Sequence, residues 1–278
     1  MSQPHSTRRQ FFSRLATTGL GLGLTGPTVF AIGRPAPRVA SPAAMLIDAR
    51  TGRVLFEKNA DDVRPIASTQ KLLTALLLCE RGNLRQRLVV QASDLAVEPT
   101  KLGLKTGQKY GRGYLMQAML VRSCNDVARA LGRDHAGSES RFATAMTARA
   151  ARLGCRTSRF MNASGLPAPG QRSSARDLAL IARAAYAVPV IRQIVRLESL
   201  PFRYADGRQI TLQTTNKLMK RCPYVTGMKT GYTHAAGKCL VSSGARGSRH
   251  VIAIILGSSS KYIWDESQSL IDYGLAAG

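Results

Sequence analysis

Ser68 and Lys71 lie three residues apart in Pro65-Ile66-Ala67-Ser68-Thr69-Gln70-Lys71-Leu72-Leu73-Thr74, where small residues give way to an apolar run. On a helix that spacing puts both side chains on one face, one turn apart. A serine in the first turn meets unpaired backbone N–H groups and the positive dipole end, which favour developing negative charge. Its hydroxyl is a poor nucleophile unless a base stands within hydrogen-bond reach, and an adjacent amine can be that base. Taken alone, the pair reads more readily as the cap and the solvated face of a core helix.

Two further patterns give the pair a context. Ser123-Cys124-Asn125 falls where Met119-Leu120-Val121 hands over to Asp126-Val127-Ala128, so a serine and an asparagine can face one cleft from a bend between helices. By itself such a triplet is a turn or cap. Lys229-Thr230-Gly231 follows Tyr224-Val225-Thr226-Gly227-Met228, which reads as a strand. A lysine and a hydroxyl on a strand edge can hold a carboxylate, and the glycine lets a peptide approach the backbone. Two decoys share these spacings. Lys105-Thr106-Gly107 precedes the serine–asparagine pair, and Ser258-Ser259-Ser260-Lys261 leaves only the residues to Gly278 after it. Neither leaves the three patterns in a workable order, whereas Ser68, Ser123 and Lys229 do.

Other chemistries find little support. The five cysteines (Cys79, Cys124, Cys155, Cys222, Cys239) include no Cys-x-x-Cys pair, so no metal spacing is present, and they read mainly as small buried hydrophobes with a disulfide left open. The four histidines have no Gly-x-Ser-x-Gly elbow to serve. Gly21-Leu22-Gly23-Leu24-Thr25-Gly26 resembles a dinucleotide fingerprint but follows no strand. No metal and no cofactor is implied.

The elements that must position these residues follow from pattern. Ala44 to Asp48 reads as a strand, Arg50 to Arg53 as a turn and Val54 to Glu57 as the returning strand. Helical stretches are expected around Leu115 to Gly132, Ser140 to Leu153 and Ala175 to Ala187. Lys238 to Ser242 and Val251 to Leu256 read as strands, followed by a helix from about Ile263 to Tyr273. The expected fold is α/β (α+β): one sheet built from both chain ends, flanking helices and an inserted helical lobe, with a cleft between lobe and sheet.

Charge and the N-terminus speak to location. Forty Lys and Arg against 16 Asp and Glu give +24 over 278 residues. Such a surface attracts polyanions, but only 6% of residues are aromatic and no basic-aromatic platform points to nucleic acid. Arg8-Arg9-Gln10-Phe11-Phe12 precedes an uncharged, moderately apolar stretch from Leu15 to Gly33. This reads as a twin-arginine export signal over residues 1–31, with an uncleaved N-terminal anchor as the alternative. Its removal takes three charges from the +24 and leaves +21. Residues 32–43 read as a linker and 44–278 as the catalytic domain, in a periplasmic or otherwise extracytoplasmic setting.

The ordered triple, with Asn162-Ala163-Ser164-Gly165-Leu166-Pro167, Gly170-Gln171-Arg172-Ser173-Ser174 and Gly227-Met228-Lys229-Thr230-Gly231-Tyr232-Thr233, resembles the serine D-alanyl-D-alanine carboxypeptidases among the low-molecular-mass penicillin-binding proteins. The resemblance runs from about Ala44 to Tyr273. It implies a β-lactamase/transpeptidase-like fold and a serine peptidase that removes the terminal D-alanine from peptidoglycan stem pentapeptides through an acyl-enzyme on Ser68. It implies Lys71 as a neutral base, kept so by burial and the nearby Lys229 cation, and Ser123 as a proton relay. Asn125 would hold the substrate amide, Lys229, Thr230 and Gly231 the terminal carboxylate and backbone, and the N–H groups of Ser68 and Tyr232 the oxyanion. It also implies β-lactams as covalent inhibitors. Cys124 departs from the family's usual small residue and would put a reactive thiol in or near the site. An endopeptidase cutting cross-links with the same residues is the alternative reading. A non-catalytic, basic wall-binding protein is a reading of another class.

Overall fold

The computed structural model describes residues 35–276, so the expected signal over 1–31 lies outside the described residues, as does the start of the expected linker. The chain first pairs at β1 (Ala43–Asp48), turns at Gly52 and returns as β2 (Val54–Lys58). A short 3-10 turn, Ala67–Gln70, leads into α1 (Lys71–Arg81). The lobe then builds from β3 (Arg87–Val89), α2 (Ala92–Leu95), β4 (Lys109–Gly111), α3 (Arg112–Arg122), α4 (Asn125–Ala136) and α5 (Glu139–Arg152). After α6 (Ala175–Ala187) and α7 (Pro189–Ile194) come the hairpin β5 (Ser199–Arg203) and β6 (Gln209–Gln213) and the short α8 (Leu218–Arg221). Three long strands, β7 (Val225–Thr233), β8 (Gly237–Arg246) and β9 (Arg249–Ser258), precede α9 (Ile263–Ala276).

The main sheet has the order β2-β1-β9-β8-β7, and every neighbouring pair is antiparallel. The two ends of the chain therefore meet at β1 and β9, as the strand patterns predict. The continuous apolar run Val251–Leu256 makes β9 central, because only a strand covered on both faces can bury every side chain. Its alternation divides the core. Ile252, Ile254 and Leu256 join Met45, Ile47 and Val241 on the face shared with α1 and α6. Val251, Ala253 and Ile255 join Ala44, Leu46 and Leu240 against Leu270, Ile271 and Leu275 of α9.

In the lobe, α1 is buried from Lys71 to Leu78, which explains why its apolar run shows no polar face. The expected helical stretch 115–132 is interrupted. Ser123 adopts a left-handed conformation (φ 72°) as the C-cap of α3, and Cys124 is the N-cap of α4. The hairpin β5–β6 was not expected from the sequence. Pro201 sits within it and its strands are only five residues long, but Phe202 stacks on Tyr114 at 4.7 Å and ties the hairpin to α3. The end of the linker is docked: Ala40 and Ser41 donate to the Glu266 carboxylate on α9.

The α9 face is packed without slack at Gly244, where a Cβ would collide with Ile271 Cγ2. Gly244→Ala is therefore expected to lower the unfolding free energy by about 1–3 kcal/mol. A urea titration in which this variant matched the wild type would contradict the packing described.

Candidate active site

The 3-10 turn that carries Ser68 is held from two sides. On one, the Asn162–Pro167 loop presses so closely that a Cβ at Gly165 (φ +90°) would collide with the Ala67 carbonyl. That loop is fixed by Asn162, whose Oδ1 accepts from the N–H groups of Ser164 (3.1 Å) and Gly165 (2.8 Å). Gln70 Nε2 ties it to α1 by donating 2.6 Å to the Asn162 carbonyl. On the other side runs the edge strand β7. A Cβ at Gly231 would stand 2.9 Å from the Ser68 nitrogen and 3.0 Å from Ala67 Cβ, so only glycine lets strand and turn meet. The Ser68 amide thus lies against Gly231 of β7.

Lys71 is the innermost member of the site, with 0% of its surface exposed. Its Nζ lies 2.8 Å from Ser68 Oγ, 2.8 Å from Asn125 Oδ1 and 2.6 Å from the Ser164 carbonyl. Burial holds its pKa well below the ordinary 10.5, and the charge of Lys229 pushes the same way; Cys124 and Asp126 oppose them more weakly. Among the described residues Asp126 makes no ion pair, and its carboxylate accepts from the N–H groups of Leu102 and Gly103.

The other expected residues take more varied places. Half-buried Ser123 lines the cleft, aimed there by its left-handed backbone. Asn125 is only 4% exposed, with its amide group donating to the carbonyls of Glu98 (3.1 Å) and Pro99 (2.9 Å). With Oδ1 already facing Lys71, one carbonyl lone pair remains for a substrate amide. Lys229 is 1% exposed and donates 3.0 Å to the Thr230 carbonyl. Burial lowers its pKa to about 7, so it is not a fixed surface cation. The Thr230 hydroxyl does reach the cleft, 2.5 Å from the hydroxyl of Thr215. Tyr232 is exposed at the mouth with Lys238 Nζ 4.3 Å above its ring.

The cleft encloses about 520 Å³, and its lining contains no carboxylate. Sequence reasoning missed Thr215, Lys217 and Trp264 on its walls, and the Ser164 carbonyl on Lys71. Lys105 is exposed in a turn, and Ser258 is a buried residue at the end of β9. Cys124 needs correction as a reactive thiol, since burial pushes its pKa up to about 12 and keeps it protonated.

The D-alanyl-D-alanine carboxypeptidase family matches residues 31–260. The chain belongs to that family. It is 35% identical over 248 residues to a D-alanyl-D-alanine carboxypeptidase of Mycobacterium tuberculosis, covering 87% of this chain and 84% of the relative. A D-alanyl-D-alanine endopeptidase of Escherichia coli is 30% identical, over 81% of this chain and 74% of that one. Among solved structures, a Mycobacterium tuberculosis D-alanyl-D-alanine carboxypeptidase superposes with a TM-score of 0.83 at 32% identity, covering 88% of this chain and 94% of that one. A Streptomyces DD-transpeptidase gives 0.82 at 26% identity, over 87% and 100%. The α/β fold, the serine-peptidase class and the D-alanyl-D-alanine carboxypeptidase function follow from this membership.

The two buried lysines give this carboxypeptidase a pH signature. In the folded chain each releases its proton below the ordinary 10.5, so above about pH 7 the unfolded chain holds more protons and stability rises with pH. The window closes near pH 8.5, where thiols begin to titrate in the unfolded chain. Between those values the wild type should gain stability with a slope that Lys229→Met reduces by up to about one proton. Parallel pH–stability curves for the two proteins would contradict the burial argument.

Proposed function

We propose that Ser68 attacks the carbonyl between the two terminal D-alanine residues of a stem pentapeptide and releases the last D-alanine. The observation that carries this reading is the Lys71 amine, 2.8 Å from Ser68 Oγ in surroundings that disfavour its charge. A neutral amine has one lone pair and two N–H donors, so it accepts the Ser68 proton while still donating to Asn125 and Ser164. The Ser68 oxygen then bonds to the carbonyl carbon, and the tetrahedral oxyanion lies between the N–H groups of Ser68 and Tyr232. As the C–N bond breaks, the proton on Lys71 passes through Ser123 to the departing amine. Water, deprotonated by the same pair, hydrolyses the ester and regenerates Ser68. Asn125 orients the substrate amide through its remaining lone pair. Thr230, supported by Thr215, meets the terminal carboxylate, with Lys229 adding its charge from behind when protonated.

Attack on a β-lactam would follow the same path to a penicilloyl ester. Of the two glutamates between Ser123 and Lys229, Glu139 pairs with Arg129 at 3.0 Å and Glu198 is exposed; neither lines the cleft. With no carboxylate to activate water, the bulky ester should persist while the peptide turns over. The enzyme is read as exported by its twin-arginine-type N-terminus and working outside the cytoplasm. Among the described residues no helix is long and apolar enough to cross a membrane.

Two experiments test the assignments. Fluorescent penicillin should label wild type at Ser68, and Ser68→Ala and Lys71→Ala should lose acylation by on the order of 10³-fold or more. Lys71→Arg should fail as well, because a guanidinium stays protonated. A mapped adduct at Ser258, or robust labelling of the arginine variant at neutral pH, would sink the assignment. Similarity to an endopeptidase keeps cross-link cleavage as a second reading. One preparation given D-Ala-D-Ala pentapeptide and cross-linked dimer should release D-alanine faster than it cuts the dimer. The opposite ranking would favour the endopeptidase.

A further inference from the structure

A second cavity, about 610 Å³, opens at the end of the main sheet opposite the cleft. The cleft lies where Lys238 pairs with Ser258, whereas this cavity takes Ser248 from the β8–β9 turn and His250 from the start of β9, eight residues from Ser258. Arg50 from the β1–β2 turn, Arg183 and Tyr186 from α6, and Arg192 from α7 complete its polar lining. No carboxylate lines it. None of the three arginines belongs to an ion pair among the described residues. Asp48 feels Arg50, but its Oδ1 is taken by the N–H groups of Arg50 and Thr51 and by the Thr51 hydroxyl.

Arg183 and Arg192 are held in place. Arg183 Nη2 donates 2.9 Å to the Arg50 carbonyl, and a Cβ at Gly52 (φ +82°) would stand 3.0 Å from Arg183 Nη1, so the turn is shaped around that guanidinium. Arg192 lies over the Tyr186 ring at 5.6 Å, while Tyr186 Oη stands 2.8 Å from His250 Nδ1. Leu180 contributes an apolar wall. Two positioned guanidiniums, Arg183 and Arg192, with the exposed Arg50 beside them, suit a multiply charged oxyanion, which forked donors bind in pairs. The volume lies within the range of small-molecule sites and admits a body about the size of a phosphorylated sugar or polyol.

We infer that this cavity binds a phosphate-bearing anion, such as one unit of a phosphodiester-linked polyol or sugar polymer, independently of the catalytic cleft. Occupied in that way, it would anchor the enzyme on an anionic polymer while leaving the cleft open to stem peptides. General attraction to the +24 chain is the competing explanation, and a charge-matched control separates the two.

The test measures binding of inorganic pyrophosphate, a glycerol phosphate oligomer and phosphatidylglycerol vesicles to the whole chain by titration calorimetry and co-sedimentation at fixed salt. The proteins compared are wild type, Arg183→Gln/Arg192→Gln and the exposed control pair Arg85→Gln/Arg203→Gln. Penicillin acylation of Ser68 and a thermal melt verify that each variant is folded. Saturable binding that falls tenfold or more in the cavity pair, and less than twofold in the control pair, is expected. The oligomer and vesicle arms distinguish a soluble polymer from a lipid headgroup as the source of the phosphate. Equal losses in both pairs, or no saturable binding of any probe, would overturn the assignment. If the cavity pair fails to fold, Arg192→Gln alone, which breaks no hydrogen bond to Arg50, must still lower affinity more than Arg85→Gln.

Discussion

A lysine amine buried without a carboxylate partner is the constraint on which this structure depends. Lys71 is fully enclosed, and its three close contacts are a hydroxyl, a carboxamide oxygen and a backbone carbonyl. A formal acid there would stabilise the ammonium and remove the base; an apolar shell would leave the amine unsatisfied. Neutral acceptors satisfy its hydrogen-bonding capacity without supplying the countercharge that would keep it protonated. The second buried lysine, Lys229, strengthens the effect by like-charge repulsion, and burial brings its own pKa to about 7.

The scaffold explains how such an arrangement survives. Each acceptor around Lys71 comes from a different segment: the 3-10 turn, the start of α4 and the Asn162–Pro167 loop. Each segment is fixed by its own contacts before it meets the amine. Asn125 is held by the carbonyls of Glu98 and Pro99, and the loop by the Asn162 side chain. The sheet supplies the remaining wall. Because β9 is buried on both faces and β7 is an edge, the strand backbone stays open toward Ser68, and Gly231 allows the approach.

Much of this was legible in the sequence because it is local or periodic. The three-residue spacing of Ser68 and Lys71, the bend at Ser123 and the two-sided apolar run Val251–Leu256 all report their surroundings through neighbours in the chain. The family resemblance brought the remote patterns together at one cleft. What escaped was tertiary. Thr215 reaches Thr230 only because β6 and α8 deliver it to β7, and no spacing rule encodes that meeting. The Ser164 contact uses a main-chain carbonyl, which any residue type could provide. The burial of Lys229 likewise depends on how β7 packs, which the tripeptide Lys229-Thr230-Gly231 does not encode. Cys124 looked reactive from its position in the motif, and its burial reverses that.

The most direct test is the ionisation of Lys71 itself, followed by NMR in protein carrying carbon-13 at the lysine ε position. The Lys71 signal is identified by its loss in Lys71→Met. The account predicts a neutral-amine shift for Lys71 at pH 7.5, with its titration well below that of the surface lysines. A Lys71 signal that stays protonated until about pH 10.4, the range of an ordinary lysine, would contradict it.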